Sequence, residues 1–363
     1  MAVSEAEYLM YYQNYFPFEK IREWISYNGQ EPLDNRECSF WFDDQRFTRW
    51  NHIDQLPSLL SRTPPMPPQR MEIGPVYTHP IQIRNSIPSS DFHASHRELV
   101  FDIDADDFKE IKHCCGDSEI CEHCWLFMEC ALKVLSKALK ENFGFKNILY
   151  VFSGRRGVHL WVCDKNAREL NEAVRRSIVR YLNLKEITEK KNGKFCPLAC
   201  QMLPICEDYF CRIAEEQNIF TYEPISKQIE DLIGRSCYQW LMDQFRSLNG
   251  EFPAKWNRVK ETKYHTLRFG ETENFYKLIY YFTFPRLDAN VTTIMNHLLK
   301  SPFSIHPKSG LLSVPIPENM FDQFPPNWVP SLKDLLSDNP DALATFKEAV
   351  ELFENFQKST LNE

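Results

Sequence analysis

Residues 98–104 read Glu-Leu-Val-Phe-Asp-Ile-Asp, and this stretch decides the fold because its alternation predicts a half-buried strand at the centre of the chain. The apolar positions of one face are Leu99, Phe101 and Ile103. Asp102 and Asp104 share the opposite face, because side chains alternate along a strand. Two carboxylates on one face can hold one or two hard divalent cations. Asp-x-Asp also occurs in glycosyltransferases, phosphatases and ordinary edge strands, so the pattern alone leaves these alternatives open.

A cysteine cluster follows this strand, and its members are Cys114, Cys115, Cys121 and Cys124. Soft thiolate ligands at this spacing favour tetrahedral zinc within residues 114–124. His113 and His123 are alternative ligands, and a redox pair at Cys121 and Cys124 is a weaker alternative. A metal with four protein ligands has no open position, so we expect it to brace the loop between the acidic strand and the helix predicted at Cys124–Phe143.

A second cysteine group lies later in the chain, at Cys196, Cys200, Cys206 and Cys211. Its spacing is looser, and apolar residues surround it. This context favours buried free thiols over a second metal site.

A basic hairpin is predicted where two β-rich runs, Ile148–Phe152 and Val158–Val162, flank the sequence Ser153-Gly154-Arg155-Arg156-Gly157. Backbone donors, two guanidinium groups and the nearby His159 suit a triphosphate, although a solvated basic turn is the alternative. Residues 133–194 contain 15 Lys and Arg against 6 Asp and Glu, so the hairpin lies in the most basic part of the chain.

Composition narrows the class of protein. The chain has 363 residues, 43% of them hydrophobic, which excludes a disordered tail. Its formal net charge of -8 argues against a protein that coats nucleic acid non-specifically. No apolar run approaches the roughly 20 residues of a membrane-spanning helix, so we expect a soluble protein without signal peptide or anchor. The 12 cysteines indicate a reducing compartment, the cytosol or the nucleus.

The periodicity predicts a discontinuous α+β architecture. A helical subdomain is expected at 166–263, inserted between two parts of a catalytic domain at 1–165 and 264–363. Strand character resumes at Leu278–Phe284 and at Leu311–Ile316, and Ser331–Asn355 is typical of one or two amphipathic helices.

The motifs taken together resemble the small, catalytic subunit of eukaryotic and archaeal DNA primases, and the eukaryotic form is the more similar. The resemblance covers roughly Tyr11 to Pro317, with a gap in the helical middle. It rests, in order, on YYQNYFPF, NRECSF, EIGPVY, ELVFDID, the four-cysteine cluster, SGRRGVHLWVCD, PRLD and HLLKSPFSIHPKSG. It implies a mixed α/β primase catalytic domain with a sheet of the RNA-recognition-motif type, a zinc-binding loop and a helical subdomain.

The resemblance also implies roles for individual residues. The catalytic carboxylates that bind Mg²⁺ or Mn²⁺ would be Asp102, Asp104 and Asp288. The nucleotide-binding residues would be Glu37, Arg49, Glu72, Ser153, Arg155, Arg156, His159, His297, Lys300 and His306. Glu72 stands where the family commonly has an aspartate, which leaves its role open. The structural zinc ligands would be Cys114, Cys115, Cys121 and Cys124.

The function implied is synthesis of short RNA primers on single-stranded DNA from ribonucleoside triphosphates, by two-metal nucleotidyl transfer. Implied partners are an iron–sulfur-containing large subunit and the DNA polymerase α complex, and the implied location is the nucleus. Two alternatives remain: a primase-polymerase of the same superfamily that prefers deoxynucleotides, and a non-catalytic zinc-containing scaffold of a replication complex.

Overall fold

The computed structural model describes residues 3–43, 45–116, 119–183, 196–266, 269–324 and 329–360. The end of the predicted basic stretch, residues 184–194, lies outside them. The chain forms two compact units, of which the first comprises Met1–Asp102, Gly144–Val179 and Asp288–Glu363, and the second Ile103–Phe143 and Arg180–Leu287. Among the described residues, no helix has the length and apolar character needed to cross a bilayer.

The first unit contains two β-sheets. One has the order β2-β1-β3-β4, with β8 also pairing with β3, and the other has the order β5-β7-β6. The strands of the first sheet are β1 (Arg36–Trp41), β2 (Phe47–Asn51), β3 (Arg70–Tyr77), β4 (Ala94–His96) and β8 (Leu299–Lys300). Those of the second are β5 (Leu99–Asp104), β6 (Ile148–Phe152) and β7 (Gly157–Val162). The unit division falls inside β5, after Asp102.

Helices complete the first unit. They are α1 (Glu5–Asn14), α2 (Phe18–Ile25), α3 (Leu56–Ser61), α5 (Lys165–Arg168), α6 (Glu172–Leu182, whose last turn belongs to the second unit), α12 (Ala289–Thr293), α13 (Leu332–Leu336) and α14 (Pro340–Thr360). The core is aromatic where α2, β7 and α14 meet. The Trp24 ring packs edge-on against Trp161 and Phe353, with ring centroids 5.4 Å apart in both pairs. Such edge-to-face contacts stabilise a core beyond the area that they bury.

The second unit is helical. It contains α4 (Glu122–Glu141), α7 (Pro197–Glu216), α8 (Glu223–Ile233), α9 (Arg235–Ser247), α10 (Phe252–Thr266) and α11 (Phe269–Thr283). Helix α4 presents an apolar face to α7, and its buried Glu129 accepts hydrogen bonds from Tyr209 Oη at 3.3 Å and Arg212 Nη2 at 3.2 Å. This packing groups residues 103–143 with the helices, whereas the sequence prediction began the helical part at residue 166.

The predicted α+β architecture is confirmed, with antiparallel pairing of β1 with β2, β3 with β1 and β6 with β7. The prediction of a strand at Leu278–Phe284 is wrong, because Leu278 and its neighbours lie in α11, which packs against α7 and α8. A short run of aromatic and branched residues suits a buried helix as well as a strand. Leu311–Ile316 forms isolated bridges, such as Ile305 with Leu312, rather than a regular strand.

A buried ion pair anchors the segment that leads into β5. Glu98 and Arg36 have 0% and 1% of their side chains exposed, and Arg36 Nη2 lies 2.5 Å from Glu98 Oε2. Tyr27 Oη donates to Glu98 Oε1 at 2.6 Å. Burial raises the pKa of Glu98, but the charge and hydrogen bonds of Arg36 and the Tyr27 hydroxyl outweigh it and lower the pKa from 4.5 to about 2. Glu98 is therefore ionised at neutral pH.

We predict that Glu98→Gln lowers the free energy of unfolding at pH 7 by about 3–5 kcal/mol, because it leaves the Arg36 guanidinium buried without its charged partner. Because the pKa of Glu98 is lower in the folded state than in the unfolded state, the ionised carboxylate contributes its full stabilisation above about pH 4.5. This contribution is lost as the pH falls towards 2. The measurement is denaturant unfolding between pH 7 and 3.

Because Glu98→Gln has no carboxyl group to protonate, its free energy of unfolding should fall less between pH 4.5 and pH 3 than that of the parent chain. Glu354→Gln is the control, because its ion pair with Lys20 at 2.5 Å is about a third exposed and should contribute less than about 1 kcal/mol. Equal stability of Glu98→Gln and the parent chain at pH 7 would contradict the prediction.

Candidate functional site

Two of the predicted catalytic aspartates lie together in the first unit. The Asp288 backbone N–H donates to the backbone C=O of Asp102 at 3.2 Å. Asp288 is also the N-cap of α12, and its Oδ1 accepts from the N–H groups of Asn290 at 2.9 Å and Val291 at 3.4 Å. The backbone amides of α12 therefore fix the orientation of this carboxylate, and β5 fixes the position of its residue.

Asp104 lies two residues further along β5, in the second unit. The side chains of Leu99, Val100, Phe101 and Ile103 are buried, whereas Asp102 and Asp104 are partly exposed. The alternation of the strand thus gives the two carboxylates the same face, as predicted. Asp104 Oδ1 accepts from the Asp106 N–H at 2.8 Å, which caps the 3₁₀ turn Ala105–Phe108.

His159 lies on β7 beside Asp102. Its Nε2 is 3.6 Å from Asp102 Oδ1, which is too long for a hydrogen bond. Burial, together with the charge of Lys300, lowers the pKa of His159 to about 3. The imidazole is therefore neutral at physiological pH, and it can donate or accept one hydrogen bond without adding charge.

The predicted hairpin joins β6 to β7, and its loop is tied to the segment around residues 300–313. The Ser153 N–H donates to Gly157 C=O at 2.9 Å, and the Gly157 N–H donates to Ser153 Oγ at 3.0 Å. Lys300 Nζ donates to the Ser153 carbonyl oxygen, and Ser309 Oγ donates to that of Gly154 at 2.6 Å. These contacts hold the loop in one conformation.

Gly154 is required at its position for two reasons. Its φ is +85°, a conformation that side chains with a Cβ disfavour. A Cβ there would also lie 3.1 Å from both His306 Cβ and the Leu311 carbonyl oxygen. The loop consequently packs directly on His306.

A cluster of positive charge surrounds His306. Burial lowers the pKa of His306 to about 3, and the nearby cations Lys300, Arg155, Arg70 and Arg156 lower it further. His306 Nδ1 accepts from the Lys308 N–H at 3.3 Å, so a neutral ring carries its proton on Nε2. This cationic cluster, defined as Arg70, Arg155, Arg156 and Lys300 around the neutral His306, is suited to an anion with several charged oxygens.

Glu37 and Arg49 form a second group in the same unit. Arg49 donates to Glu37 through Nε at 2.8 Å and Nη2 at 3.0 Å, and Tyr77 Oη donates to Glu37 at 3.1 Å. The Glu37 side chain has no exposed surface, whereas 28% of the Arg49 side chain is exposed. Glu37 therefore orients Arg49 and does not itself reach a ligand. Arg49 Nη2 also donates to the Asn296 carbonyl oxygen at 3.1 Å.

Glu72 and His297 are both held by neighbours. Glu72 lies opposite Lys300 in the pairing of β3 with β8. Its carboxylate contacts Arg70 Nη2 at 3.0 Å and accepts from Trp41 Nε1 at 2.8 Å. His297 Nδ1 lies 2.8 Å from the Leu298 carbonyl oxygen, and the His297 carbonyl accepts from Arg97.

The cysteine cluster of the second unit has the geometry of a tetrahedral metal site. The Sγ atoms of Cys114, Cys115, Cys121 and Cys124 all lie within 4.8 Å of one another. Three of the separations are 3.4, 3.6 and 3.8 Å. A zinc–sulfur bond of about 2.3 Å implies a tetrahedral edge of about 3.8 Å, so the four thiols fit this metal.

Neither histidine beside the cluster is among its ligands. His123 Nδ1 lies 2.5 Å from Glu216 Oε2, and the His113 ring packs edge-on against Tyr222. Gln217 joins the backbone before the cluster to the backbone within it, because its Oε1 accepts from the His113 N–H at 3.0 Å and its Nε2 donates to the His123 carbonyl at 3.2 Å.

The second cysteine group forms no cluster of metal ligands among the described residues, and its four thiols form no disulfide. Burial is uneven. Cys206 is buried, Cys196 and Cys211 are half-buried, and Cys200 is exposed. The prediction of a buried thiol is wrong for Cys200, because this position faces away from the apolar side of α7.

Sequence reasoning missed several residues that build the site. They act on groups that are distant in the chain: Tyr77, Ser309 and Gln217 through hydrogen bonds, and Arg70 through its charge near His306. Only Arg70 carried a local signal, because it lies two residues before Glu72 on the same strand face.

Comparisons with known proteins decide the family. Residues 101–317 match the family model of the DNA primase small subunit. The chain belongs to the DNA primase small subunit family. This match contains Asp102, the cysteine cluster, the hairpin, Asp288 and His306, so it includes most of the site described above.

Individual relatives agree with the family model. The chain is 30% identical to the DNA primase small subunit of Saccharomyces cerevisiae, over 99% of this chain and 92% of the relative. It is 34% identical to that of Caenorhabditis elegans, over 92% and 87%. The archaeal small subunit PriS of Thermococcus kodakarensis is 28% identical over 63% of this chain and 66% of the relative. The predicted resemblance to the eukaryotic form of the family is therefore confirmed.

Proposed function

We propose that this chain is the catalytic subunit of a DNA primase, a DNA-directed RNA polymerase that joins ribonucleoside triphosphates into short primers on single-stranded DNA. The observation that carries the proposal is the contact between Asp288 and Asp102 in the unit that also holds the cationic cluster. A pair of carboxylates for divalent cations beside a group for phosphate oxygens is what nucleotidyl transfer requires.

Asp102, Asp104 and Asp288 would hold two Mg²⁺ or Mn²⁺ ions in this proposal. Bound there, the ions would lower the pKa of a nucleotide 3′-hydroxyl and would stabilise negative charge on the α-phosphate. The donor set fits hard cations, because it offers carboxylate oxygens rather than sulfur or imidazole. Capping of α12 through Oδ1 of Asp288 holds that carboxylate at the N-terminal, positive end of the helix.

The cationic cluster would bind the triphosphate. Arg155 and Arg156 offer guanidinium forks, which suit phosphate oxygens in pairs. His306 would donate from Nε2 as a neutral ring, and Lys300 supplies a fixed positive charge while it holds the Ser153 carbonyl. Ser153 braces the loop through its hydroxyl. Together these residues would position the α-phosphate and offset the charge of the leaving pyrophosphate.

The remaining residues would shape the nucleotide pocket. Arg49, held by Glu37 and Tyr77, presents its guanidinium to the site. Glu72, set across from Lys300, would lie near the ribose, and His297 would line the same pocket. His159, neutral and beside Asp102, would supply a hydrogen bond without adding charge to the metal ligands.

The cysteine cluster would hold a structural zinc ion that braces the connection between β5 and α4. The family also suggests an iron–sulfur-containing large subunit, association with the DNA polymerase α complex and a nuclear location, and we include these in the proposal.

We predict that Asp102→Asn and Asp288→Asn each lower the rate of oligoribonucleotide synthesis on poly(dT) with Mg²⁺ or Mn²⁺ by about 10³-fold or more. The reason is that each variant removes a negative charge that holds the cations. Asparagine is as good an N-cap as aspartate, so the fold should be retained at residue 288. Activity within threefold of the parent chain in both variants would remove the metal role.

The same assay separates the two alternatives. A primase prefers ribonucleotides to deoxynucleotides when both are offered on one template, and a primase-polymerase shows the opposite preference. A scaffold shows no template-directed synthesis with either.

We predict that Gly154→Ala weakens binding of a fluorescent ATP analogue by roughly tenfold or more, because the new Cβ displaces His306 or the Leu311 carbonyl. Gly29→Ala is the matched control. Its φ is +80°, but nothing lies within 4 Å of the new Cβ, so it carries the same backbone strain without crowding the site. Equal nucleotide affinity of the two variants would contradict the assignment of this loop.

We predict that the purified chain contains about one zinc ion and that Cys121→Ser removes it, because a thiolate ligand is lost. Metal content by inductively coupled plasma mass spectrometry is the measurement. The exposed Cys200 lies outside the cluster, and Cys200→Ser should keep the zinc. Zinc retained at full occupancy in Cys121→Ser would rule out the four-cysteine site.

A further inference from the structure

A buried arginine holds the segment that follows Asp288. The Arg97 side chain donates from Nη2 to the Val291 carbonyl oxygen at 2.6 Å and from Nη1 to that of Ile294 at 3.1 Å. Nη1 also donates to the His297 carbonyl oxygen. Only 1% of Arg97 is exposed.

Two of the three acceptors, the carbonyls of Val291 and Ile294, lie at the C-terminal end of α12, and the third belongs to His297 beyond the helix. Helix α12 has five residues, and Ile294 is its C-cap. The last carbonyls of a helix have no partner within it and carry its negative partial charge. A guanidinium offers several donors in one rigid plane, so it can hold all three carbonyls at once.

The backbone of Arg97 is itself held by hydrogen bonds. Its N–H donates to the Arg168 carbonyl oxygen at 3.1 Å, and Arg175 donates to the carbonyls of Arg97 and, at 3.0 Å, Glu98. The Glu98 carboxylate is bound by Arg36. Residue 97 is therefore fixed two residues before β5 begins, and its side chain transmits that fixed position to α12.

Burial of this charge has a cost that the carbonyls offset. Burial, reinforced by the charge of Arg175, lowers the pKa of Arg97 to about 9 despite the nearby Glu98. Glu98 is already bound by Arg36 and Tyr27, so Arg97 is held mainly by backbone dipoles. A buried cation without a dedicated carboxylate is uncommon, and here its donors are directed at one segment, Val291–His297.

Both ends of that segment lead to the site. Asp288 caps the start of α12, and its N–H contacts the strand residue Asp102. His297 leads through Leu298 into β8, which carries Lys300. Without Arg97, the segment would keep the hydrogen bonds of the Met295 N–H to Glu172 and of Arg49 to the Asn296 carbonyl. The carbonyls of Val291 and Ile294 would lose the guanidinium that ties them to residue 97, and the Asp288 carboxylate could shift with the helix that it caps.

We propose that Arg97 is a positioning residue that locks α12 against the entry to β5 and thereby sets the separation of the Asp288 and Asp102 carboxylates. The affinity of the site for its divalent cations then depends on Arg97, although Arg97 touches neither cation nor nucleotide. This inference rests on the proposed metal role of Asp102 and Asp288.

The experiment measures Mn²⁺ binding without nucleotide, by the electron paramagnetic resonance signal of free Mn²⁺, in the full-length chain. Arg97→Gln should weaken Mn²⁺ binding by about tenfold or more, as losses of groups that orient metal ligands do. Arg97→Lys, which keeps the charge but not the planar fork, should fall between Arg97→Gln and the parent chain. Saturating Mn²⁺ should restore a large part of primer synthesis in both variants.

Arg168→Gln is the matched control. Arg168 is also buried in the first unit and pairs with Glu31 at 2.5 Å, but its side chain does not bind the Val291–His297 segment. It should lose thermal stability while it keeps the Mn²⁺ affinity of the parent chain. If Arg168→Gln weakens Mn²⁺ binding as much as Arg97→Gln, the effect is general destabilisation and the proposal is overturned.

The remaining outcomes are also decisive. Unchanged Mn²⁺ affinity in a folded Arg97→Gln variant overturns the proposal, and if that variant does not fold, Arg97→Lys decides in the same way. Asp288→Asn distinguishes failure of the proposed metal site from failure of the positioning role of Arg97. If Asp288→Asn leaves Mn²⁺ binding intact, the proposed metal site fails. If it weakens binding and the Arg97 variants do not, only the positioning role fails.

Discussion

The hydrogen bond from the Asp288 N–H to the Asp102 carbonyl joins two segments that are far apart in the chain, and the arrangement of the site depends on it. It sets the start of α12 beside the edge of β5. Because Asp288 also caps α12, the same residue is fixed through its backbone and through one side-chain oxygen. Carboxylates of like charge repel each other, so a restrained scaffold is needed to hold the two aspartates side by side.

Buried charge surrounds the residues that precede β5. Glu98, Arg36, Arg97 and Arg175 are each at most 1% exposed, and every carboxylate oxygen of Glu98 is hydrogen-bonded. A buried charge stabilises a fold when it is paired and hydrogen-bonded, and both oxygens of Glu98 meet this condition. This network therefore tolerates few alternative positions for the strand that carries Asp102. The cationic cluster around His306 shows a different arrangement, because burial and four neighbouring cations together lower the pKa of that histidine to about 3.

Local patterns predicted the local parts of the structure. The alternation in β5, the glycine-containing turn between β6 and β7, and the spacing of the four cysteines each depend on neighbouring residues, and the structure contains all three. Leu278–Phe284 was misassigned because an apolar run of that length has no distinguishing period. The proximity of Asp288 to Asp102 was implied by the family resemblance. Arg97 gave no signal at all, since its acceptors are backbone carbonyls, which every residue possesses.

The arrangement of the aspartates can be observed directly. A crystal structure of the chain with Mn²⁺ and a non-hydrolysable ribonucleoside triphosphate, recorded with anomalous scattering from manganese, would locate the cations. We predict anomalous peaks within bonding distance of the Asp102 and Asp288 carboxylates, and phosphate oxygens on Arg155, Arg156 and His306. Manganese bound elsewhere with both aspartates unliganded, or a triphosphate remote from the hairpin loop, would contradict this account.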